Sequence, residues 1–487
     1  MRDDRLEGAA IEGWRTPAER DEDRLLYTSA FRRLIGVTQV VPSREPNIFH
    51  NRLTHSLKVG QVGKRSAAYL IKLTDPSHLA AGGGLDPTVL NVAGQAHDLG
   101  HPPFGHIAEI ELRRILDGEP RSAAPQGSSY SSPRPKVLLK DGFEGNAQTF
   151  RIVAKLAARR HPATTGRITR YQGLGLTRAT LAALLKYPWL RGGHPPESEY
   201  FKRKWGAYNS EAHELSWASQ LIPPSHFRTL EADVMDWADD VTYAVHDIED
   251  FFRVGIIPLH EIRAGAMAPS LTPVRVFDNF WSYATFNIEY KGEINFQPDL
   301  ALSALREVSG DLPAAAYRDS DSDRLILHAL ASGLVKRFQQ GMSVNSSGKL
   351  EIQPETKMLI EALKQLTWYF VIDQPALATL QQGQIRVIRD LFDWLLNWVR
   401  QSFAHQSPES LQIIELRKSH LPALLRDFVE LAFNDSGCCE EYKSDEEKYT
   451  RGVVDFIASL TELQAYELHH RLGGSHEQPA LGAWINR

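Results

Sequence analysis

The sequence predicts a mainly α-helical protein. Its 487 residues are 42% apolar, which is enough to build a sizeable core. Apolar residues recur every three or four positions through most of the chain, the periodicity of an amphipathic helix. The segments with this pattern are residues 25–35, 57–73, 89–97, 107–116, 143–157, 227–252, 359–372 and 387–403. Strand-like alternation is rare, and the best candidate for a small β-hairpin is the segment 290–296.

Composition and charge exclude several classes of protein. The formal net charge of −5 at pH 7 is small for this length, so no general affinity for polyanions is expected. The two cysteines, Cys438 and Cys439, are adjacent, and a disulfide between neighbours is strained, so we expect no disulfide framework. No apolar run reaches the roughly 18–20 residues that span a bilayer, and the charged N-terminus does not resemble a secretory signal. We therefore predict a soluble, cytoplasmic protein without a membrane partner.

Two segments have an unusual composition. Residues 118–136 are rich in Ser, Pro and Gly, which favours a mobile surface loop over a functional lid. Residues 151–204 contain twelve Lys and Arg against two Asp and Glu. Such a stretch is typical either of a solvated helix face or of a surface for polyphosphate or nucleic acid. Composition alone leaves both interpretations open.

Titratable residues are concentrated in one short bend, AHDLGHPPFGHIAE, at residues 96–109. A helical apolar run ends there at Gly100 and the following Pro-Pro pair, which places His97 and Asp98 at a helix C-terminus beside a sharp turn. On its own, such a pair is most often a hydrogen-bonded helix end. Metal binding becomes a candidate role because further ligands occur elsewhere in the chain.

One helix predicted downstream carries an unusual line of polar residues. Asp239, Tyr243 and Asp247 are spaced i, i+4, i+8 and share one face. Carboxylates on an otherwise apolar helix are costly to bury unless a positive group meets them. Salt bridges to arginines and a bound metal ion both satisfy that requirement.

Histidines complete a plausible ligand set. His55 lies near the start of an amphipathic helix, and together with His97, Asp98 and a helical aspartate it offers two imidazoles and two carboxylates. That mixture suits Mn, Mg or another first-row divalent ion, with water at the remaining positions. A closed structural zinc site normally uses cysteine instead.

An acid–base pair follows the bend. His106 and Glu109 are spaced i, i+3 on the next predicted helix, so they face the same way. A carboxylate beside an imidazole raises its basicity and fixes its tautomer, which suits proton transfer near neutral pH. The bend therefore joins two candidate metal ligands to a candidate acid–base pair.

The order of motifs along the chain resembles a known family. The motifs are DRLLYTSAFRRL, TQV, NRLTHSL, AHDLGHPPFGH, GFEGNAQTFRI, KYPW and ADDVTYAVHDIED. Together they are similar to the HD superfamily of metal-dependent phosphohydrolases, and more narrowly to the bacterial dGTPases and their dGTPase-like relatives. The resemblance implies an HD-domain helical phosphohydrolase core at residues 23–252. It also implies an N-terminal tail at 1–22 and an α-helical C-terminal region at 253–487 that packs on the core.

The resemblance also implies roles for individual residues. Among the neighbours Asp239 and Asp240, the family pattern selects Asp239, because the ligand precedes a tyrosine by four and an aspartate by eight. The implied ligands of a divalent metal ion are His55, His97, Asp98 and Asp239. The implied catalytic residues are His106 and Glu109, with His101 as a further active-site residue. The implied substrate-binding residues are Gln39 for the 3′-hydroxyl, Arg52, Lys186 and Lys204 for phosphate, Tyr187 for sugar or base, and Tyr243 and Asp247 for deoxyribose.

The implied reaction is hydrolysis of a deoxynucleoside triphosphate (dNTP) to deoxynucleoside and inorganic tripolyphosphate. Water attacks the α-phosphorus, and the bond to the sugar 5′-oxygen breaks. Relatives form dimers, tetramers or hexamers, so the resemblance implies a homo-oligomer, with a regulatory dNTP or single-stranded DNA as a further partner. Val37, Lys58 and Asp240 depart from residues that many relatives carry, which leaves base preference and phosphate affinity open.

Two other functions compete with this interpretation. An HD-type phosphodiesterase or nucleotidase would act on other nucleotides, but its two-metal members usually carry an HD-x-G-K pattern, and this chain has His101 in place of that lysine. A nucleotide- or DNA-responsive sensor would bind without turnover. An intact His106–Glu109 pair argues against the sensor, because binding alone does not require it.

Overall fold

The computed structural model describes residues 1–6, 13–42, 49–119, 138–157, 173–195, 200–268, 274–291, 295–404, 411–439 and 442–474. Residues 120–136 of the predicted mobile loop and the side chains of Cys438 and Cys439 lie outside the described set. Among the described helices, none combines the length and apolar character needed to cross a bilayer.

The described chain is mainly α-helical, as predicted. Its α-helices are α1 (Pro17–Leu26), α2 (Ser29–Arg33), α3 (Arg52–Leu73), α4 (Pro76–Ala81), α5 (Pro87–Ala96), α6 (His106–Leu116), α7 (Gly145–Arg151), α8 (Arg178–Leu184), α9 (Ala212–Ser219), α10 (Leu230–Arg253), α11 (Leu259–Met267), α12 (Arg275–Lys291), α13 (Pro298–Ser309), α14 (Asp321–Gln340), α15 (Pro354–Thr367), α16 (Pro375–Phe403), α17 (Leu411–Ser419), α18 (Ala423–Cys439), α19 (Asp445–Ala458) and α20 (Glu462–Leu472). Short 3-10 turns occupy Leu34–Gly36, Tyr200–Arg203 and Asn209–Glu211, and π-helical turns occupy Ile152–Leu156 and Trp368–Ile372.

A small β-hairpin is present, but not where the sequence predicted it. Strands β1 (Met342–Val344) and β2 (Leu350–Ile352) pair antiparallel. For the described part of segment 290–296 the prediction was wrong, because α12 continues to Lys291 and residues 295–296 form no strand. Its buried Phe277, Phe280, Ala284 and Ile288 follow helical spacing up to that point. The true strands have three residues each, too few for alternation to reveal them.

Side-chain caps set where the important helices begin. Thr28 accepts the N–H of Phe31 and starts α2, so the single helical pattern at residues 25–35 divides into two helices. The Asn51 side chain accepts the N–H of Thr54 at the start of α3. Thr229 caps α10 in the same way. These caps fix the residue at which each helix begins.

The larger hydrophobic core contains α3, α5 and α10, which pack against one another. Val59 of α3, Ala93 of α5 and Val241 of α10 are almost completely buried. Burial of these apolar faces stabilises the three-helix arrangement. Polar residues on the same helices are thereby brought close together.

A second hydrophobic core joins α6 to helices from the C-terminal part of the chain. Leu112 of α6 lies in one cluster with Leu391 of α16, Val454 of α19 and Leu468 of α20. Arg33 extends this connection, because its guanidinium donates to the carbonyl of Leu460. The C-terminal helices thus support the helix that begins at His106.

Candidate active site

Three helices bring the predicted metal ligands together. His55 projects from α3, His97 and Asp98 follow α5, and Asp239 lies on α10. His55 Nε2 is 3.0 Å from Asp239 Oδ1, and His97 Nε2 is 3.2 Å from Asp98 Oδ1 and 3.5 Å from Asp239 Oδ1. The potential ligand atoms of His55, His97 and Asp98 lie within 4.8 Å of one another. We call these four residues the metal-ligand group.

The donor chemistry of this group fits a divalent cation. His97 Nδ1 donates to the carbonyl of Gly94 at 2.7 Å, because a carbonyl can only accept. That hydrogen bond occupies Nδ1 and leaves Nε2 as the ring nitrogen that faces the site. Although two carboxylate oxygens are near, Nε2 is buried and its angles satisfy no hydrogen bond among the described residues. An imidazole nitrogen facing two carboxylates in this way is suited to share a cation with them.

Electrostatics in the group also favour a cation. Burial opposes charge on His97, but Asp98 and Asp239 outweigh it and raise the pKa of His97 to about 10. Burial likewise opposes charge on both aspartates, yet Arg52 and His97 hold the pKa of Asp98 well below its usual value. His97 and His55 do the same for the pKa of Asp239. Both carboxylates therefore stay ionised, and binding of a metal ion would release the proton held at His97.

Arg52 contacts the metal-ligand group at Asp98. Its buried guanidinium donates to Asp98 Oδ2 at 2.6 Å and to the carbonyl of Thr38 at 2.8 and 3.0 Å. Gln39 follows Thr38, and its side-chain oxygen is buried without a hydrogen-bond partner among the described residues. The structure thus places Arg52 beside Asp98, and Gln39 next in the chain to the residue whose carbonyl Arg52 contacts.

The bend itself depends on two glycines. A Cβ at Gly100 would lie 2.2 Å from the carbonyl oxygen of Gly145, so only glycine fits there. Gly105 has φ +60°, a left-handed conformation that disfavours other residues, at the start of α6. Arg33 donates to the carbonyls of Leu99 and His101 and so holds the bend on both sides of Gly100.

Thr149 holds the same bend from α7, which yields a stability prediction. Its hydroxyl accepts the N–H of Gly100 at 2.8 Å and donates to the carbonyl of His97 at 2.9 Å. We expect Thr149→Val to lower the free energy of unfolding by about 1–3 kcal/mol, because two buried backbone groups lose their partner. Denaturant unfolding measures the loss. Thr149→Ser keeps the hydroxyl and should retain most of the stability, whereas a fully stable valine variant would contradict this role.

The predicted acid–base pair lies next to the metal-ligand group. Potential ligand atoms of His101, His106 and Glu109 lie within 4.8 Å of one another. His101 connects the two sets of residues, because its Nδ1 is 3.0 Å from Asp98 Oδ1 and its Nε2 is 3.9 Å from Glu109 Oε2. The structure therefore brings all three predicted catalytic residues to one place.

The two members of the acid–base pair differ in environment. Glu109 is buried, which opposes its charge, but Lys204, His106 and His101 lower its pKa to about 2. Desolvation and His101 lower the pKa of His106. His106 itself is exposed to water. The pair therefore combines a neutral imidazole with an ionised carboxylate, as proton transfer requires, but the pKa of His106 is lowered, whereas the sequence predicted that Glu109 would raise its basicity.

The two predicted phosphate lysines contact different parts of the site. Lys186 forms an ion pair with Asp236 and has its Nζ 3.9 Å from Asp239 Oδ2. Lys204 Nζ is 3.6 Å from Glu109 Oε1. Each lysine is therefore adjacent to one of the residue sets described above.

The basic stretch that contains these lysines does not have a single role. Arg151 is completely buried and pairs with Glu211 at 2.7 Å and Asp435 at 3.0 Å. Lys155 contacts the same two carboxylates, each at 3.2 Å. These cations join α7 and the following π-helical turn to α18, whereas Lys186 and Lys204 reach the candidate site.

The predicted sugar-binding residues occupy one face of α10. Tyr243 is half-buried, and Asp247 is buried one turn further on. Burial and the neighbouring Asp250 raise the pKa of Asp247 well above its usual value. Tyr187 lies in an aromatic cluster, with ring-centroid distances of 5.7 Å to Trp189 and 6.3 Å to Phe201.

Several residues of the site were not singled out from the sequence. Asp236 and Arg228 surround Lys186, since Arg228 Nη2 donates to Asp236 Oδ2 at 2.8 Å. Glu144 and Thr149 lie within the motif GFEGNAQTFRI, which was noticed as a motif without a role for either residue. Glu144 precedes a helix, a capping position that could have drawn attention to it. The partners of Lys186 carried no comparable local signal.

Comparison with known proteins finds relatives along most of the chain. No family model matches the chain. A deoxyguanosinetriphosphate triphosphohydrolase-like protein of Streptomyces coelicolor is 31% identical over 473 residues, which cover 94% of this chain and 93% of the relative. A protein of the same description from Corynebacterium efficiens is 31% identical over 485 residues, covering 94% and 92%. Deoxyguanosinetriphosphate triphosphohydrolase-like protein 2 of Mesorhizobium japonicum is 28% identical, covering 94% and 93%. The similarity therefore extends far beyond the HD motifs.

Proposed function

Because the chain belongs to the deoxyguanosinetriphosphate triphosphohydrolase-like family, we propose that it hydrolyses dNTPs to deoxynucleoside and inorganic tripolyphosphate with a divalent metal ion. The observation that carries this proposal is the adjacency of the metal-ligand group and the acid–base pair. His101 lies between them, 3.0 Å from Asp98 and 3.9 Å from Glu109. A site that only bound nucleotide would not need the second set of residues.

The metal-ligand group would hold Mn, Mg or another first-row divalent ion. When bound, such an ion supplies positive charge for the α-phosphate and lowers the pKa of a water molecule. Arg52 and Lys186 flank the aspartates of the group, and we assign them to the phosphate oxygens. His106, oriented by Glu109, would transfer the proton, either from the attacking water or to the 5′-oxygen that leaves.

Deoxyribose recognition is assigned to Tyr243, Asp247 and Gln39. A tyrosine ring packed on the sugar would leave no space for a 2′-hydroxyl. Gln39 Oε1 and Asp247 Oδ2 are both buried, and neither has a hydrogen-bond partner among the described residues. Buried polar groups in that state are suited to a substrate hydroxyl, and a site built for a hydroxyl rejects substrates that lack it. Tyr187 is assigned to the sugar or base on the family resemblance alone.

Substitution of Tyr243 tests the account of deoxy selectivity. We expect Tyr243→Ala to reduce the ratio of kcat/KM for a dNTP over the matching ribonucleotide by about tenfold or more, because space opens at C2′. Tyr243→Phe keeps the ring and serves as the matched control. Parallel assays with one deoxynucleotide and its ribonucleotide measure the ratio. An alanine variant that rejected ribonucleotides as well as the native protein would disprove the assignment.

Product analysis tests the reaction itself. Purified protein is incubated with Mn or Mg and each of the four dNTPs or GTP, and products are separated by ion-exchange chromatography. Deoxynucleoside together with tripolyphosphate supports the proposal, and the relative rates give the base preference. Release of monophosphate and pyrophosphate, or turnover of other nucleotides instead, would favour an HD-type phosphodiesterase or nucleotidase.

The wider organisation is proposed on the same family basis. We assign residues 23–252 to the catalytic core, 1–22 to an N-terminal tail and 253–487 to a C-terminal region that supports the core. We also propose a homo-oligomer based on dimers, and a regulatory dNTP or single-stranded DNA as effector. Light scattering tests the oligomer. Assays with dNTP mixtures and with single-stranded DNA test the effector.

A further inference from the structure

The motif GFEGNAQTFRI forms a turn that contacts the acid–base pair. Glu144 precedes α7 and accepts the N–H groups of Asn146 and Ala147 at 2.5 and 3.2 Å, as a helix cap. Its side chain is completely buried. The next residue, Gly145, donates its N–H to Glu109 Oε1 at 3.4 Å. The turn therefore reaches Glu109 directly through its backbone.

A lysine provides a second connection between this turn and Glu109. Lys204 Nζ lies 3.0 Å from Glu144 Oε1 and 3.6 Å from Glu109 Oε1. The carbonyl of Lys204 accepts a hydrogen bond from the indole of Trp189 at 2.7 Å, which fixes the backbone of the lysine. Because Glu144 is itself fixed by the helix cap, the ammonium group is held at a defined position between two carboxylates.

We propose that Glu144 is a positioning residue that holds Lys204 against Glu109 and thereby sets the charge and orientation of the carboxylate behind His106. This inference rests on the proposed function, which gives the His106–Glu109 pair its role. It also assigns Lys204 to the acid–base pair rather than to the triphosphate tail. The groups that face Glu109 are Lys204, His106, His101 and Arg113.

The two roles of Lys204 predict different kinetics. If Lys204 binds the triphosphate, its removal raises KM and leaves the pH dependence of kcat unchanged. If Lys204 acts on Glu109, its removal lowers kcat. Loss of the cation beside Glu109 raises the pKa of the neighbouring His106, the proposed proton-transfer group, so the acidic limb of the kcat profile moves to higher pH.

The experiment compares Lys204→Met, Glu144→Gln and the double variant in the full-length protein with Mn and the dNTP that turns over fastest. Lys204→Met leaves two buried carboxylates facing each other. We expect kcat to fall about tenfold or more, KM to change less than about threefold, and the acidic limb to move up by about one pH unit. The double variant removes the second carboxylate, so its limb should move back toward that of the native protein.

Lys155→Met is the matched control, because Lys155 also lies between two carboxylates, Glu211 and Asp435, each at 3.2 Å. It should leave the acidic limb in place. An unshifted limb with a tenfold higher KM in Lys204→Met would overturn the proposal in favour of phosphate binding. So would a double variant that behaves like Lys204→Met alone.

A second readout needs no turnover. The melting temperatures of the native protein, the two single variants and the double variant form a thermodynamic cycle, and non-additive losses report the contact between Glu144 and Lys204. Additive losses of melting temperature would overturn the inference, whatever the enzymatic activity of the variants. If the native protein released no tripolyphosphate while the cycle showed coupling, the proposed function would fail and the contact would stand.

Discussion

We expect His106→Ala to lower kcat by about 10²–10⁴-fold, the contribution of a positioned acid–base group, and to leave the metal content at the native level. The imidazole is the exposed member of the pair, so it is the group that substrate and water can reach. It is not one of the four residues of the metal-ligand group. Steady-state kinetics and elemental analysis of dialysed protein measure the two quantities separately.

His213→Ala is a suitable control for this prediction. His213 is likewise an exposed histidine in the first turn of a helix, α9, so its removal reproduces the local cost to helix stability. We expect kcat within about twofold of native, since surface changes usually alter stability by at most 0.5 kcal/mol. Near-native turnover of His106→Ala would show that another group transfers the proton.

The sequence predicted the helices well because their amphipathic faces pack on two large cores. The i, i+4, i+8 spacing of Asp239, Tyr243 and Asp247 was enough to place them on one face of α10. The hairpin was missed for the opposite reason. Three-residue strands such as Met342–Val344 contain less than two periods of alternation.

Candidate site residues within one motif were easier to predict than their partners. The bend itself places His97, Asp98 and His106 within ten residues of one another. Lys204, in contrast, meets Glu144 across 60 positions of the chain. Long-range packing decides which cations of a basic stretch face a site. Arg151, for example, is buried against α18, where it pairs with Asp435. Composition contains no information about that choice.

Asp239→Asn should abolish tight metal binding and with it turnover. Asp239 Oδ1 faces both His55 Nε2 and His97 Nε2, and an amide removes the charge that a divalent ion requires at this position. Because outer-shell changes alone typically reduce metal affinity 10–100-fold, we expect loss of a ligand to exceed about 100-fold. Metal titration of dialysed protein, followed by activity at saturating Mn, measures both effects.

Asp240→Asn is the matched control, because the two aspartates are neighbours on α10 but point about 100° apart around the helix. Asp240 Oδ1 pairs with Lys364 Nζ at 2.7 Å, and Lys364 retains Glu361 at 3.1 Å when that partner is lost. We therefore expect native metal content in this variant and turnover within about tenfold. Bound metal should also raise the melting temperature of the native protein and of Asp240→Asn, but not that of Asp239→Asn. The reverse pattern would identify Asp240 as the ligand, and metal retention in both variants would remove α10 from the metal site.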